Sequence, residues 1–209
     1  MATARVRYQP KGVVGIISSW NYPIAVSLGP LVGVLAAGNR AMLKPSEHAP
    51  STSALIAEGL AEIFAEDEVA VVQGGLETGQ AFASQPWDHL VFTGSTVVGR
   101  HVARAAAENL VPVTLELGGK SPAVVGPEAN LDNAAARILW GRCYNAGQTC
   151  IAPDYALVPR PKLRAFVDAL RRAADVQYPE GADGSGFTTV LGTANRARQL
   201  ALLEEARAH

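Results

Sequence analysis

The chain has 209 residues, of which 48% are hydrophobic and 18% charged, and its formal net charge is −1 at pH 7. This length and composition are typical of a globular protein with one core or two small domains. Basic residues form no cluster, which argues against a nucleic-acid partner. Two cysteines close in sequence cannot form a disulfide framework, which favours a reducing compartment, and we expect a cytoplasmic protein.

An uncharged stretch near the amino end, Gly12–Asn39, has the length of a membrane span. Asn21, Pro23 and Pro30 interrupt it, so no run of about 18 apolar residues remains. The basic residues at the amino end precede no compact apolar segment with a small-residue cleavage site. We therefore expect neither a membrane span nor a signal peptide, and interpret the stretch as a buried strand followed by a buried helix.

Strands and helices are predicted to alternate through the first half of the chain. Short apolar runs indicate buried strands, and apolar residues at helical spacing, such as Ile56, Leu60 and Ile63, indicate helices. The predicted strands are Gly12–Ser18, Ala41–Leu43, Val69–Gln73, His89–Thr93 and Val111–Leu115. The predicted helices are Ile24–Ala37, Ser51–Phe64, Glu77–Ala83 and Ser95–Ala107. This alternation predicts an α/β fold with a doubly wound, mostly parallel sheet.

After Gly118 and Gly119 the chain is predicted to begin a second α/β region. Its predicted strands are Pro122–Val125 and Tyr155–Val158, and its predicted helices are Leu131–Cys143, Lys162–Ala174 and Asn195–Ala208. We place the boundary near Leu117, which gives domains 1–117 and 118–209. Trp87 and Trp140, one in each domain, are interpreted as core residues.

Several chemically distinctive residues stand where a predicted strand ends. They are Asn21, Lys44, Gly94 and Glu116. Parallel strands end at a common edge of the sheet, and ligands of doubly wound sheets bind there. This shared placement predicts a binding site without reference to any other protein.

The segment Asn145–Cys150 carries the candidate nucleophile. A cysteine that ends a small glycine-containing turn can expose its sulfur and receive backbone N–H groups, which favours the thiolate. A free cysteine is more often a small buried hydrophobic residue than a nucleophile, and we interpret Cys143 in this way. Glu116 stands where a carboxylate can activate water. The Gly-Gly-Lys-Ser run that follows Glu116 is not the phosphate-binding loop of a nucleotide triphosphatase. That loop requires a glycine five residues before Gly119, and this position is Thr114.

Motifs in a fixed order connect these residues to a known family. They are Trp20-Asn21-Tyr22-Pro23, Lys44-Pro45-Ser46-Glu47, Phe92-Thr93-Gly94-Ser95 with Gly99, Glu116-Leu117-Gly118-Gly119-Lys120 and Gly147-Gln148-Thr149-Cys150. From about Pro10 onward the chain resembles the NAD(P)-dependent aldehyde dehydrogenase superfamily. The sequence that begins at Cys150, Cys-Ile-Ala-Pro-Asp-Tyr, looks most like the coniferyl-aldehyde dehydrogenase-like branch of this superfamily.

This resemblance implies that an aldehyde is oxidised to a carboxylic acid with NAD(P)+. Cys150 would attack the aldehyde carbon to give a thiohemiacetal, hydride would pass to the nicotinamide, and water deprotonated by Glu116 would hydrolyse the thioester. The oxyanion donors would be the Asn21 side-chain amide and the Cys150 backbone N–H. Loss of one such donor typically costs about 2.7–4 kcal/mol of transition-state stabilisation. The resemblance implies a truncated Rossmann-like cofactor domain followed by the first part of an α/β catalytic domain. It also implies that the full-length form is a homo-oligomer.

The resemblance also implies a set of cofactor-binding residues. They are Trp20, Lys44, Glu47, Gly94, Ser95 and Gly99. The Gly-x-x-x-x-Gly turn at 94–99 opens a predicted helix, where pyrophosphate can meet backbone N–H groups. Lys44 and Glu47 resemble the pair that holds the adenosine ribose. A carboxylate near the ribose 2′ position repels a 2′-phosphate, so we expect NAD, with NADP as the alternative.

Two alternatives to an active hydrolytic enzyme stay open. Members of the superfamily are longer, and their later Glu-x-Phe-Gly-Pro motif does not occur here, so the chain could be a non-catalytic fragment with residual nucleotide binding and no measurable activity. The second alternative is a relative that transfers the acyl group to coenzyme A, against which Glu116 argues. The histidines show no metal-ligand spacing, and we predict no metal site. The expected partner is a small aldehyde, with no nucleic acid and no membrane.

Overall fold

The computed structural model describes residues 3–208, and the chain divides at Gly118 and Gly119 into two compact units. Within the described range, the first unit contains a five-stranded sheet and four α-helices. The second contains a two-stranded sheet and three α-helices. No helix in this range is both long and apolar enough to cross a bilayer.

Strands and helices alternate throughout the first unit. Strands β1–β5 are Val13–Ile17, Arg40–Lys44, Val69–Val71, His89–Gly94 and Val113–Leu117. Helices α1–α4 are Pro23–Ala36, Pro50–Ile63, Leu76–Ala83 and Thr96–Glu108. All paired strands are parallel, in the order β3-β2-β1-β4-β5. The α/β fold with a doubly wound parallel sheet is therefore confirmed.

Two clusters of buried side chains cover the two faces of this sheet. One cluster joins β1 and β2 to α1 and α2, and contains the fully buried Leu43. The other joins β4 to α3 and α4, and contains the fully buried Leu90. Trp87 packs against the second cluster and donates from Nε1 to the Phe82 carbonyl at 2.8 Å. Burial on both faces explains why the strands read as continuous apolar runs.

Strand β5 begins and ends two residues later than the sequence predicts. β5 runs from Val113 to Leu117 instead of from Val111 to Leu115. Pro112 has no N–H to donate to a neighbouring strand, so regular pairing begins after it. Glu116 consequently lies inside the strand, paired with Thr93, and not beyond its end.

The second unit is smaller and builds its core on one side of a short sheet. Strands β6 and β7, Ser121–Val124 and Pro153–Leu157, are parallel. Helices α5–α7 are Leu131–Cys143, Leu163–Gln177 and Thr193–Ala208. Val125, Ala135, Phe166 and Ala169 form the buried cluster between α5, α6 and the sheet.

Candidate active site

The carboxyl ends of the parallel strands in the first unit carry most of the predicted cofactor residues. Lys44 is the last residue of β2, and Gly94 is the last residue of β4. Trp20 and Asn21 follow β1 in a short loop, and Glu116 lies one residue before the end of β5. The strand order reverses between β1 and β4, and this edge is the usual ligand site of doubly wound sheets.

An ion pair between a buried lysine and a partly exposed glutamate stands at the end of β2. The Lys44 ammonium donates to the Glu47 carboxylate at 2.6 Å, and the two side chains are 5% and 38% exposed. Burial of Glu47 opposes its ionisation. Hydrogen bonds from Lys44 and the Glu47 backbone N–H, with the Lys44 charge, nevertheless hold the Glu47 pKa below its ordinary value of 4.5. The pair therefore fixes a cation and an anion at the sheet edge, which suits the hydroxyl groups of a ribose.

The turn from β4 into α4 presents the start of a 13-residue helix. The Ser95 hydroxyl oxygen caps this helix by accepting a first-turn N–H at 3.3 Å. A Cβ at Gly94 would lie 2.5 Å from the Phe92 ring, and a Cβ at Gly99 would lie 2.7 Å from the Leu117 side chain. Both glycines therefore also have a packing role. First-turn N–H groups and the positive end of the helix suit pyrophosphate, so this edge fits a dinucleotide.

The Asn21 side chain is oriented by a neighbour that the sequence prediction missed. The Ser19 hydroxyl donates to Asn21 Oδ1 at 2.6 Å. Because the oxygen end of the amide accepts from Ser19, the Nδ2 end is the one able to donate to an oxyanion. The two residues are only two positions apart in the loop after β1, and this closeness in sequence was the available signal for the contact.

Glu116 lines a groove of about 370 Å³ on the first unit, with His89, Val91 and Thr114 among its neighbours. The groove is mostly apolar, and His89 Nε2 lies 2.8 Å from Thr114 Oγ1. Burial, with a smaller contribution from the Lys11 charge, lowers the His89 pKa below its ordinary value. Glu116 itself is exposed, so water can reach its carboxylate.

In the second unit, α5 ends at Cys143 and a tight turn leads to Cys150. Cys150 is exposed, whereas Cys143 is half-buried. Burial raises the pKa of the Cys143 thiol, and the nearby Arg142 charge offsets only part of that rise. Residues 145–147 have positive φ values of 52°, 55° and 73°. Backbone conformations of this kind cluster at functional sites, and the exposed Cys150 follows this turn.

Comparisons with known proteins connect this geometry to one family. The sequence model described as aldehyde dehydrogenase family matches residues 1–209. The chain belongs to the aldehyde dehydrogenase family. A probable coniferyl aldehyde dehydrogenase of Pseudomonas aeruginosa is 52% identical over 206 residues, which are 99% of this chain and 43% of that relative. The coniferyl aldehyde dehydrogenase of Pseudomonas sp. strain HR199 is 51% identical over 207 residues, with the same shares covered.

Solved structures of aldehyde dehydrogenases share the fold of this chain. The substrate-bound state of Staphylococcus aureus AldH is 40% identical, with a TM-score of 0.91 over 96% of this chain and 44% of that one. The NAD+ complex of an aldehyde dehydrogenase from Bacillus cereus is 33% identical, with a TM-score of 0.86 over 97% and 42%. The predicted family is confirmed, and this chain spans less than half the length of each of these relatives.

One aromatic residue of this aldehyde dehydrogenase family chain does not lie where the sequence prediction put it. Trp140 is 57% exposed, so its interpretation as a core residue is wrong. The buried face of α5 is marked by Ala135, and Trp140 instead stacks on Tyr144 with ring centroids 5.1 Å apart. Tyr144 directly follows the last residue of α5, four positions after Trp140, so the two rings lie close together at the end of this helix. They form an exposed aromatic surface before the turn that leads to Cys150.

Asp154 is a second residue that the sequence prediction missed. Its carboxylate pairs with Lys120 at 2.8 Å and with Arg142 at 3.7 Å. Lys120 and Asp154 meet because their chain neighbours, Ser121 and Pro153, are paired in the parallel sheet. Within residues 3–208, no group of three or more His, Cys, Asp or Glu side chains could hold a metal ion.

Proposed function

We propose that the protein oxidises an aldehyde to a carboxylic acid with NAD+, and that Cys150 is its nucleophile. NADP+ is the alternative cofactor. The observation that carries the proposal is the exposed Cys150 thiol after a constrained turn, in a chain that belongs to the aldehyde dehydrogenase family. Similar solved structures, among them the NAD+ complex of an aldehyde dehydrogenase from Bacillus cereus, support the cofactor.

The first half of the reaction forms a carbon–sulfur bond. The Cys150 thiolate attacks the aldehyde carbon, and the carbonyl oxygen becomes an oxyanion. The Asn21 amide and the Cys150 backbone N–H donate to that oxygen, and the contact from Ser19 to Asn21 supports this orientation of the amide. A bound NAD+ would supply the acceptor for the hydride that this carbon loses. The chain retains a thioester on Cys150.

Residues of the first unit would hold the cofactor. The first turn of α4, with Gly94, Ser95 and Gly99, suits the pyrophosphate, and the pair formed by Lys44 and Glu47 suits the adenosine ribose. Trp20 belongs to the same proposed set. We assign residues 1–117 to the cofactor-binding domain and 118–209 to the catalytic domain, which the division into compact units supports.

The second half of the reaction breaks the carbon–sulfur bond. Glu116 removes a proton from water, the resulting hydroxide adds to the thioester carbon, and Cys150 leaves as a thiolate with the acid as product. The exposed position of Glu116 supports this role, because its carboxylate is open to water.

The substrate proposed is an aromatic aldehyde. The names of the two Pseudomonas relatives specify coniferyl aldehyde, and the exposed Trp140 and Tyr144 rings lie in the same unit as Cys150. Flat aromatic surfaces favour flat aromatic ligands by offset stacking.

We also propose a cytoplasmic location, with which the free cysteines agree. We propose that the protein is a homo-oligomer, and size-exclusion chromatography with light scattering measures its oligomeric state.

The proposal is tested by aldehyde-dependent formation of NADH. Cys150→Ser should abolish it, while Cys143→Ser, the matched control, should retain it. Loss in both variants, or activity in Cys150→Ser, would contradict the assignment. Acid formed without coenzyme A supports hydrolysis, whereas strict dependence on coenzyme A would favour the acylating alternative. A folded protein without any turnover would favour the non-catalytic fragment.

Glu116→Gln separates the two halves of the reaction. Hydride transfer needs no base at this position, so the variant should release one equivalent of NADH per active site and then stop. Glu108→Gln, at another exposed glutamate of the same unit, serves as the control and should turn over normally. Steady-state turnover in Glu116→Gln equal to that of the unsubstituted protein would exclude Glu116 as the base.

A further inference from the structure

The turn before Cys150 has a backbone conformation that needs support from its surroundings. Asn145, Ala146 and Gly147 all have positive φ, and the first two are not glycine. Side chains with a Cβ are disfavoured in this region, so neighbouring contacts must offset its cost. The turn also lies close to the preceding helix, because a Cβ at Gly147 would be 3.0 Å from the Arg142 carbonyl oxygen.

The Gln148 side chain connects this turn to a distant segment of the same unit. Its Nε2 donates to the Asn145 carbonyl at 3.0 Å and to the Thr189 carbonyl at 3.3 Å. Its Oε1 accepts from the Leu191 N–H at 2.8 Å. The amide therefore uses both of its chemical ends, donating to the turn and to the distant segment while accepting from the latter.

We propose that Gln148 is the positioning residue for Cys150. Its amide holds the turn 145–147 in the left-handed conformation and anchors it to residues 189–191, which fixes where the nearby Cys150 presents its thiol. This inference rests on the proposed function of Cys150. A displacement of about 1 Å at a reacting atom can reduce a rate by about a hundredfold, so a contact that holds such a turn affects catalysis without touching the substrate.

Gln148→Met and Gln148→Glu test the two ends of the amide separately. Methionine retains the length of the side chain but removes both the donor and the amide oxygen. Glutamate retains an oxygen for the Leu191 N–H but, while ionised, cannot donate to the Asn145 and Thr189 carbonyls. Gln177→Met is the matched control, because Gln177 Nε2 donates to the Ala136 carbonyl at 2.9 Å elsewhere in the second unit.

Three measurements follow the effect. In Gln148→Met, we expect iodoacetamide to alkylate Cys150 at least about threefold more slowly, with Cys143 unchanged, and the Leu191 N–H to exchange about tenfold faster. We expect kcat to fall about ten- to a hundredfold, while KM changes less than about twofold. Gln148→Glu should retain protection of the Leu191 N–H and still lose kcat. Gln177→Met should leave all of these quantities unchanged.

The outcomes that overturn the inference are distinct from those that overturn the proposed function. Unchanged Cys150 alkylation and kcat in Gln148→Met would refute positioning. Faster alkylation of Cys143 together with lost near-UV circular dichroism would refute it too, since the whole unit would then depend on Gln148. If the unsubstituted protein forms no NADH, the proposed function fails, and alkylation and amide exchange, which need no cofactor, still decide the role of Gln148.

Discussion

Cys143 and Cys150 are chemically different residues although they lie close together in sequence. Burial raises the pKa of the Cys143 thiol, so it carries less thiolate near neutral pH than an ordinary cysteine, and it is half-buried. Cys150 is exposed. We expect iodoacetamide at neutral pH to label Cys150 quickly and Cys143 slowly, as measured by mass spectrometry of the two peptides. Equal rates in the folded protein would contradict this assignment.

The pair formed by Lys44 and Glu47 makes stability depend on pH in a defined direction. Because the Glu47 pKa is lower in the folded protein than its ordinary value of 4.5, the ionised form stabilises the fold. That contribution is complete above pH 4.5 and is lost as the pH falls through the folded-state pKa. Glu47→Gln should therefore have a lower melting temperature at pH 7, and the difference should shrink in acid.

The control for this prediction is Glu58→Gln, at an exposed position of α2. It should melt like the unsubstituted protein at both pH values. A difference between Glu47→Gln and the unsubstituted protein that persists undiminished in strong acid would show that the Glu47 charge is not its cause.

Two helices begin with the same type of cap but have different proposed roles. The Ser95 oxygen accepts a first-turn N–H of α4 at 3.3 Å, and Asn130 Oδ1 accepts one of α5 at 3.0 Å. Ser95→Ala and Asn130→Ala should each cost about 1 kcal/mol of stability. Only Ser95→Ala should also weaken NAD+ binding, measured by quenching of protein fluorescence. Equal loss of NAD+ affinity in both variants would exclude a specific role of the α4 start.

Close packing between β1 and β4 accounts for a glycine inside a buried strand. A Cβ at Gly15 would lie 2.8 Å from the Trp87 ring and 2.9 Å from Leu90, whereas Gly59 of α2 has open space around it. Gly15→Ala should cost about 1–3 kcal/mol by overpacking. Gly59→Ala should stabilise by about 0.5–1 kcal/mol, because alanine favours the helix. Chemical denaturation measures both, and destabilisation by Gly59→Ala would contradict the packing explanation.

At the scale of the whole molecule, the buried clusters of the first unit are separate from that of the second. Leu90 lies in the first unit and Phe166 in the second. Leu90→Ala should cost about 2–5 kcal/mol and Phe166→Ala about 3–5 kcal/mol. We expect hydrogen exchange to accelerate across β1–β5 in the first variant and across α5 and α6 in the second. Equal acceleration in both units for either variant would show that they unfold as one.

The sequence by itself determined the local elements and the chemical motifs. Strand and helix periods depend on residues only a few positions apart, so the alternation of β1–β5 with α1–α4 was predictable, as was the helix that ends at Cys143. The motifs that contain Asn21, Glu116 and Cys150 were equally visible, and they led to the family that the comparisons established.

Tertiary structure alone decided which surface each residue occupies and which distant residues meet. Helical spacing did not reveal that Trp140 faces outward, because the buried side of α5 is chosen by its packing partners. The contact of Gln148 with Leu191 and that of Lys120 with Asp154 join positions far apart along the chain. Such contacts depend on how the chain closes its loops and sets strand register, which no short window of sequence contains.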